Sequence, residues 1–319
     1  MNPEEGFRDA QNALAVSQKL GDKNFETFCL QVIASYYRNA GRHAEAERAL
    51  NQALALAKER DLSRKIAPLT IDLGRSHFDR GDYATALQLL RQALGDGLGP
   101  DSAQARVHLG RVHVRLADFS AGQAELSQAF DEAKKRGNSG PLPLLHTAMG
   151  ELCYESGDHR EARKHFQEAA ALRKNDEPDE STVEARAYLG LLDGLEGKPE
   201  QGLTILRSSL EQARRMGRFS LEARLRVFLA RLYVSQRRFD DAIRTLNDVP
   251  ADAGRTLSPE LEAQVHYWRG QADYGKADRA NAQGETGVAR KLIEGLRQSL
   301  PVTYRVGFAS RPDIRVLVQ

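Results

Sequence analysis

The feature that most constrains the fold is a corner that returns along the chain at nearly constant spacing. The stretch HFDRGDYATALQLLRQAL, from His77 to Leu94, turns at Gly81. Five other stretches align with it: YRNAGRHAEAERALNQAL from Tyr37, HVRLADFSAGQAELSQAF from His113, CYESGDHREARKHFQEAA from Cys153, DGLEGKPEQGLTILRSSL from Asp193 and YVSQRRFDDAIRTLNDVP from Tyr233. Their corners fall at Gly41, Gly81, Ala117, Gly157, Gly197 and Arg237, at intervals of 40, 36, 40, 40 and 40 residues, and a less regular seventh is placed at Gly284. A period between about 20 and 50 residues marks units that cannot bury their apolar faces alone and stack into a one-dimensional array.

Each unit carries two segments with apolar residues three and four apart, the pattern of two amphipathic helices. In the second unit these are about KIAPLTIDLGRSHFDR and YATALQLLRQAL. Gly81 ends the first because glycine enters the left-handed conformation of a C-cap, and Asp82 starts the second because its carboxylate can accept from free backbone amides. The tripeptide Arg80-Gly81-Asp82 is therefore predicted to be a corner and not an adhesion signal. Small residues recur seven before the corners (Ala34, Gly74, Gly110, Gly150, Gly190, Ala230) and five after them (Ala46, Ala86, Gly122, Ala162, Gly202, Ala242). Large apolar residues recur nine after: Leu50, Leu90, Leu126, Phe166, Leu206 and Leu246. A glycine inside a helix costs roughly 1 kcal/mol against alanine, so its repetition predicts close packing of small against large across each hairpin.

Composition adds exclusions. With 46 basic and 44 acidic residues the net charge is +2, which provides no overall field for nucleic acid or an anionic membrane. No apolar run approaches the roughly 18 residues of a span, and MNPEEGFRD lacks the basic lead and apolar core of a secretion signal, so a cytoplasmic location is expected. Cys29 and Cys153 fall in apolar helix patterns three repeats apart and are expected to be buried thiols. GDGLGP, Gly95 to Pro100, follows a helix and not a strand, which predicts an inter-repeat turn instead of a phosphate loop. His108 and His113 are five apart, about 140 degrees around a helix, and do not face one metal. No nucleophile stands in a recognisable elbow. The chain is expected to be non-catalytic, with no cofactor and no metal.

The recurring small, aromatic and alanine positions are similar to the tetratricopeptide repeat, and the resemblance covers nearly the whole chain. It implies an all-α, right-handed superhelical solenoid of about seven antiparallel hairpins. Because most units here are 40 residues instead of about 34, they resemble the subset whose second helices carry about one and a half extra turns. The fifth unit, with Asp193, Gly194 and Pro199, departs most and is expected to be the softest or most bent. Residues 1–22 match the second half of a repeat, an unpaired helix that suggests a cut from a longer chain; residues 23–299 form the solenoid; residues 300–319 form a capping tail, with Leu300, Tyr304 and Phe308 on one helical face. The half repeat and tail loosely resemble the C-terminal repeat regions of large bacterial signalling proteins.

In the resembled family the first helices line a concave groove that holds peptides or helices of partners. Its groove positions carry over to Gln31, Ser35, Arg38 and Asn39; to Arg75, Phe78 and Asp79, beside Ile71; to Arg111 and Arg115, beside Val107 and Val114; to Thr147, Glu151 and Tyr154, beside Glu155; and to Arg231. Arg38, Arg75, Arg111 and Arg115 are expected to form an anion-accepting strip, with Phe78 and Tyr154 as apolar contacts, for an acidic or C-terminal peptide. The lysine and asparagine clamp of chaperone-binding members is absent from these positions. The expected function is a protein-protein interaction scaffold in bacterial signalling. The alternative is a ligand- or peptide-sensing module that controls an attached kinase, cyclase or ATPase.

Overall fold

The computed structural model describes residues 3–95, 102–172, 179–249 and 254–318, and those residues form 17 helices and no strands. Seven antiparallel hairpins follow one another: α2 (Lys23–Asn39) with α3 (His43–Glu59), α4 (Ser63–Asp79) with α5 (Tyr83–Gly95), α6 (Ser102–Arg115) with α7 (Phe119–Lys135), α8 (Leu142–Glu155) with α9 (His159–Ala171), α10 (Glu180–Leu195) with α11 (Pro199–Arg215), α12 (Phe219–Ser235) with α13 (Phe239–Asn247), and α14 (Pro259–Gly275) with α15 (Arg279–Ser299). Before them stands α1 (Pro3–Leu20), and after them α16 (Val302–Ser310) and α17 (Pro312–Val318). The array winds as a right-handed superhelical solenoid.

The corners are built as the spacing predicts. Gly41, Gly81, Gly157 and Gly197 take positive φ, and so do Ala117 (58°) and Arg237 (60°) where no glycine is present. The seventh corner is Ala277 (φ 64°), not Gly284, which lies inside α15. Ala277 keeps the 40-residue interval from Arg237. At Gly81 the amide of Asp82 donates to the His77 carbonyl at 2.8 Å and that of Gly81 to Phe78 at 2.9 Å, the paired bonds of a left-handed C-cap. Asp82 then accepts from the Thr85 amide at 3.2 Å. Arg80 donates to Glu47 at 3.0 Å, so the tripeptide is a structural corner with its charges engaged. The chain also turns between hairpins through positive φ at Gly21, Asp61, Gly137 and Gly217. The extra length of the 40-residue units is not confined to the second helices: α2, α3, α4, α11, α12 and α14 all have 17 residues. Of GDGLGP, only Gly95 lies within the described residues, at the end of α5.

Small does face large. A Cβ added to Gly74, Gly110 or Gly150 would stand 2.9, 2.7 or 2.5 Å from Leu90, Leu126 or Phe166. In the fifth hairpin the contact is backbone to backbone: a Cβ on Gly202 would lie 2.4 Å from the Gly190 carbonyl oxygen. Cys29 is buried, whereas Cys153 is half-buried, and its thiol is pushed up to about 11 by burial first and by nearby Asp158 and Glu161 second.

The superhelix closes on itself. The Thr256 amide donates to the Gly41 carbonyl at 2.9 Å, and a Cβ on Gly81 would meet the Pro259 ring at 3.0 Å. Phe7 of α1 stacks on Tyr36 with ring centres 4.2 Å apart. One buried cluster joins Tyr83, Leu90, Leu109 and Leu116 of the second and third hairpins to Ile293, Leu296, Leu300, Phe308, Ile314 and Leu317 at the other end of the chain. Leu300 and Phe308 are buried and Tyr304 partly so, but Leu300 caps α15 and is not on the helix that carries the other two.

Candidate partner-binding site

Inside the superhelix the first helices set side chains opposite one another at the repeat interval. Gln31 donates to Asp72 at 2.7 Å, Arg38 to Asp79 at 3.0 Å, Arg111 to Glu151 at 2.8 and 2.9 Å, and Arg115 to Glu155 at 3.2 Å. Arg224 of α12 donates to Glu184 of α10 in the same way and reaches Glu151 at 3.3 Å. The Arg111–Glu151, Arg115–Glu155 and Arg224–Glu184 rungs join equivalent positions of neighbouring hairpins, and the Gln31–Asp72 and Arg38–Asp79 rungs are offset by one residue. The expected anion-accepting strip is therefore already answered from within: Arg38, Arg111 and Arg115 hold carboxylates of this chain. Arg75 has Asp72 at 3.5 Å, and burial together with Arg38 lowers it to about 10. Arg38, Arg111 and Arg115 tie units together, because a buried guanidinium is costly unless a carboxylate stands at hydrogen-bond distance, whereas Arg75 and Asp72 pair within α4.

The rungs converge on a seam where the last hairpin and the tail meet the second and third hairpins. Glu260 of α14 accepts from the Tyr83 hydroxyl at 2.8 Å, from Arg311 at 2.8 Å and from Arg115 at 3.4 Å. Arg311, just before α17 and fully buried, also donates to the Arg115 carbonyl at 2.8 Å and to Asp313 at 2.6 Å. The carboxyls divide into two kinds. Burial raises Glu260 and Glu151, but the surrounding guanidiniums outweigh it, those of Arg311 and Arg115 for Glu260 and those of Arg111, Arg115 and Arg224 for Glu151, holding both down at about 2. Burial prevails at Glu155, with Asp313 beside it, and at Glu184, with Glu151 beside it, pushing both up to about 7.

Next to this seam lies a cavity of about 390 Å³ between α8, α10, α12, α14 and α17. Its size falls in the range of roughly 300–1,000 Å³ typical of small-ligand sites. Tyr154, Tyr188, Phe228 and Trp268 supply aromatic walls, and Asp313 and Leu317 of the tail close one side. Arg231 donates to the Tyr154 hydroxyl at 2.8 Å and lies 5.8 Å from the Trp268 ring centre. Among the described residues no carboxylate pairs with Arg231. It is the cavity's available cation, in contrast to Arg115 and Arg224, which line the same space with their charges engaged.

Of the groove residues expected from sequence, Tyr154, Arg231 and Arg115 meet in this cavity. Phe78 and Asp79 border a smaller one with Tyr83 and Glu260, and the Arg111 guanidinium lies 5.5 Å from the Phe78 ring centre. Thr147 is buried and donates to the Pro143 and Ser181 carbonyls, a helix-packing role. Glu151 is buried among arginines, Ser35 is half-buried, and the Asn39 side-chain oxygen is buried without a partner. Tyr188, Phe228 and Trp268 were missed, although each stands nine residues before a corner, at Gly197, Arg237 and Ala277. Glu260 and Arg311 carry no such signal.

Models of the tetratricopeptide repeat match residues 29–60, 71–141, 143–176 and 195–261, more than half of the chain. The chain belongs to the tetratricopeptide-repeat family. Repeats of this kind form protein-interaction scaffolds. Among solved structures, the Rap conjugation gene regulator of the plasmid pLS20 in complex with the Phr* peptide is similar with a TM-score of 0.70 and 15% identity, over 90% of this chain and 79% of that one. The APC/C hetero-tetramer Cut9-Hcn1 is similar at 0.60 and 16%, over 85% and 47%. A signal transduction ATPase with numerous domains and a tetratricopeptide repeat sensor, from Pyrococcus horikoshii, is similar at 0.52 and 13%, over 98% and 48%. This tetratricopeptide-repeat chain spans about half the length of the latter two. At these identities the likeness is one of fold. No curated protein matches the sequence. Among the described residues no helix is long and apolar enough to cross a membrane.

Proposed function

We propose that the chain is a non-catalytic scaffold that takes a short peptide segment of a partner protein into the cavity between α8, α12, α14 and α17. The observation that carries this reading is Arg231, a guanidinium with no carboxylate partner among the described residues, set among Tyr154, Tyr188, Phe228 and Trp268. Such a site suits a segment with one carboxylate, from an acidic side chain or a chain terminus, next to an apolar or aromatic side chain. A shielded, charge-assisted hydrogen bond there is worth roughly 1.5–3 kcal/mol. The anion-accepting role expected of the arginine strip passes to this one residue, because the strip's own charges are internally paired. A Rap regulator of the same fold was solved with a peptide bound, which supports a peptide ligand for this chain too.

Trp268 is the chain's only tryptophan, so its emission reports on the cavity. Peptides selected from a displayed library against the full chain are expected to shift Trp268 emission and to lose about ten- to hundredfold in affinity on Arg231→Gln. Selected peptides that leave the emission unchanged and bind the variant equally would overturn the reading.

The second reading, a peptide- or ligand-sensing regulatory module of a larger bacterial signalling protein, is favoured by the tail. Asp313 and Leu317 of α17 form a cavity wall while Arg311 ties the same segment to α6 and α14. Ligand entry that moves α17 would change the pitch, and small-angle scattering with and without the selected peptide separates this from a rigid scaffold.

A further inference from the structure

A second site stands on the outside of the array, away from the groove. His146 of α8 and His165 and Glu168 of α9 converge: the two Nδ1 atoms are 3.3 Å apart, His146 Nδ1 is 2.9 Å from Glu168 Oε2, and His165 Nδ1 is 3.5 Å from the same oxygen. The imidazole centres are 5.5 Å apart, so the rings meet through their Nδ1 edges. Both rings are mostly buried, with side chains 19% and 18% exposed, while Glu168 is 44% exposed and opens the cluster to solvent. Phe130 of α7 packs edge-on against His146 at 4.9 Å.

From these observations we propose that His146, His165 and Glu168 bind a divalent transition-metal ion, zinc first among them, through His146 Nδ1, His165 Nδ1 and a Glu168 oxygen. Zinc bonds to imidazole nitrogen at about 2.0–2.1 Å and to carboxylate oxygen at about 2.0–2.2 Å, which in a tetrahedron places ligand atoms about 3.3 Å from one another. The three measured separations scatter around that edge. The point equidistant from the three atoms in their own plane lies about 1.9 Å from each, so an ion at bonding distance stands less than about 1 Å above the plane. Two imidazoles and one carboxylate favour zinc, copper or nickel over magnesium or calcium, which select oxygen.

The surroundings agree. Among the described residues Glu168 pairs with no lysine or arginine, only with the two imidazoles, whereas the groove glutamates Glu151, Glu155, Glu184 and Glu260 are each held by guanidinium. Burial lowers both histidines, keeping the imidazoles neutral and able to ligate. The ligands come from both helices of one hairpin, so the ion would clamp α8 to α9, with a fourth position facing solvent for water or a donor from another molecule. The sequence pattern hides this site: His146 and His165 are 19 residues apart and meet only because the hairpin folds back at Gly157.

The test is titration of the chelator-treated full chain with Zn²⁺ against a chromophoric competitor, and with Co²⁺ by visible absorption. One equivalent is expected, with the intense absorption of four-coordinate cobalt. His165→Ala and Glu168→Gln should each weaken binding by at least about tenfold, and His266→Ala, which alters a different histidine-glutamate pair, should not. Circular dichroism checks that the variants fold, and Glu168→Gln preserves the side-chain shape. No stoichiometric binding, binding unchanged in the first two variants, or a six-coordinate cobalt spectrum would each overturn the assignment.

Discussion

The seam predicts a large and specific effect for Arg311→Met, which keeps much of the side chain's length and apolar volume but removes its charge. Arg311 is fully buried, and the substitution takes from Glu260 its guanidinium partner at 2.8 Å and from the Arg115 carbonyl its donor at 2.8 Å. Stranding one member of a buried ion pair costs about 3–5 kcal/mol. Glu260 keeps Arg115 at 3.4 Å and the Tyr83 hydroxyl at 2.8 Å, and Asp313 can turn to solvent, which puts the expected cost near the lower end, about 3 kcal/mol. Glu260→Gln should be similarly harmful, leaving Arg311 and Arg115 without their shared anion. In the double variant neither stranded charge faces the other, so its cost should fall short of the sum of the singles by at least about 1 kcal/mol. A repeat array can open locally, so amide hydrogen exchange is the assay, read over 302–318 and over α14, alongside urea unfolding. Loss of protection should appear in the tail and at the second and third hairpins together, because one buried cluster spans both. A single-variant cost below about 1 kcal/mol, strict additivity, or loss confined to the last residues would refute the view that this seam closes the superhelix.

The same carboxylates set a pH dependence. Glu155 and Glu184 are raised from near 4.5 to about 7 and bind protons more tightly when folded, so the stability they contribute is full below about 4.5 and is lost as pH rises through 7; Glu151 and Glu260, held near 2, contribute stability that is present above 4.5 and lost as pH falls toward 2. Urea midpoints should therefore fall on going from pH 5 to pH 8, and Glu184→Gln should flatten that fall. Gly202→Ala would place a methyl 2.4 Å from a backbone oxygen that cannot swing aside, and a loss of about 1–3 kcal/mol is expected, against a gain of about 0.5–1 kcal/mol for Gly287→Ala in the open part of α15; thermal unfolding compares them. Ala277→Gly should raise stability by about 0.5–1 kcal/mol, because alanine at φ 64° carries a strain that glycine does not, and a lower melting temperature would show that the seventh corner is held by something other than its backbone.

The hairpins were readable from sequence because each is a local object. Its corner, its small-against-large packing and its two helical stripes lie within 40 residues, and the physics that makes them acts over that distance. The seventh corner lies at Ala277 and not at the expected Gly284; Asp82, Asp118, Asp158 and Asp278 each follow a corner, and Asp118, Asp158 and Asp278 cap the next helix, so the aspartate together with the 40-residue interval marks Ala277 where glycine is absent. The rungs were also within reach. Arg111 and Arg115 face Glu151 and Glu155 one period on, and opposite charges at equivalent positions of neighbouring units mean that units hold each other.

What the sequence does not reveal is the seam. Tyr83, Arg115, Glu260 and Arg311 meet because small rotations between hairpins accumulate until α14 returns beside α5 and α6. That sum depends on every interface at once, and no local pattern encodes it. The same closure decides what the groove can do. It consumes the arginines that repeat spacing makes conspicuous and leaves Arg231, which among the described residues meets a tyrosine hydroxyl and a tryptophan ring but no carboxylate, facing an aromatic cavity that the tail helps to wall. In a solenoid of this kind a residue's charge says little about partners until the superhelix has been followed around a full turn, since only a charge the array has not spent on itself is available to a partner.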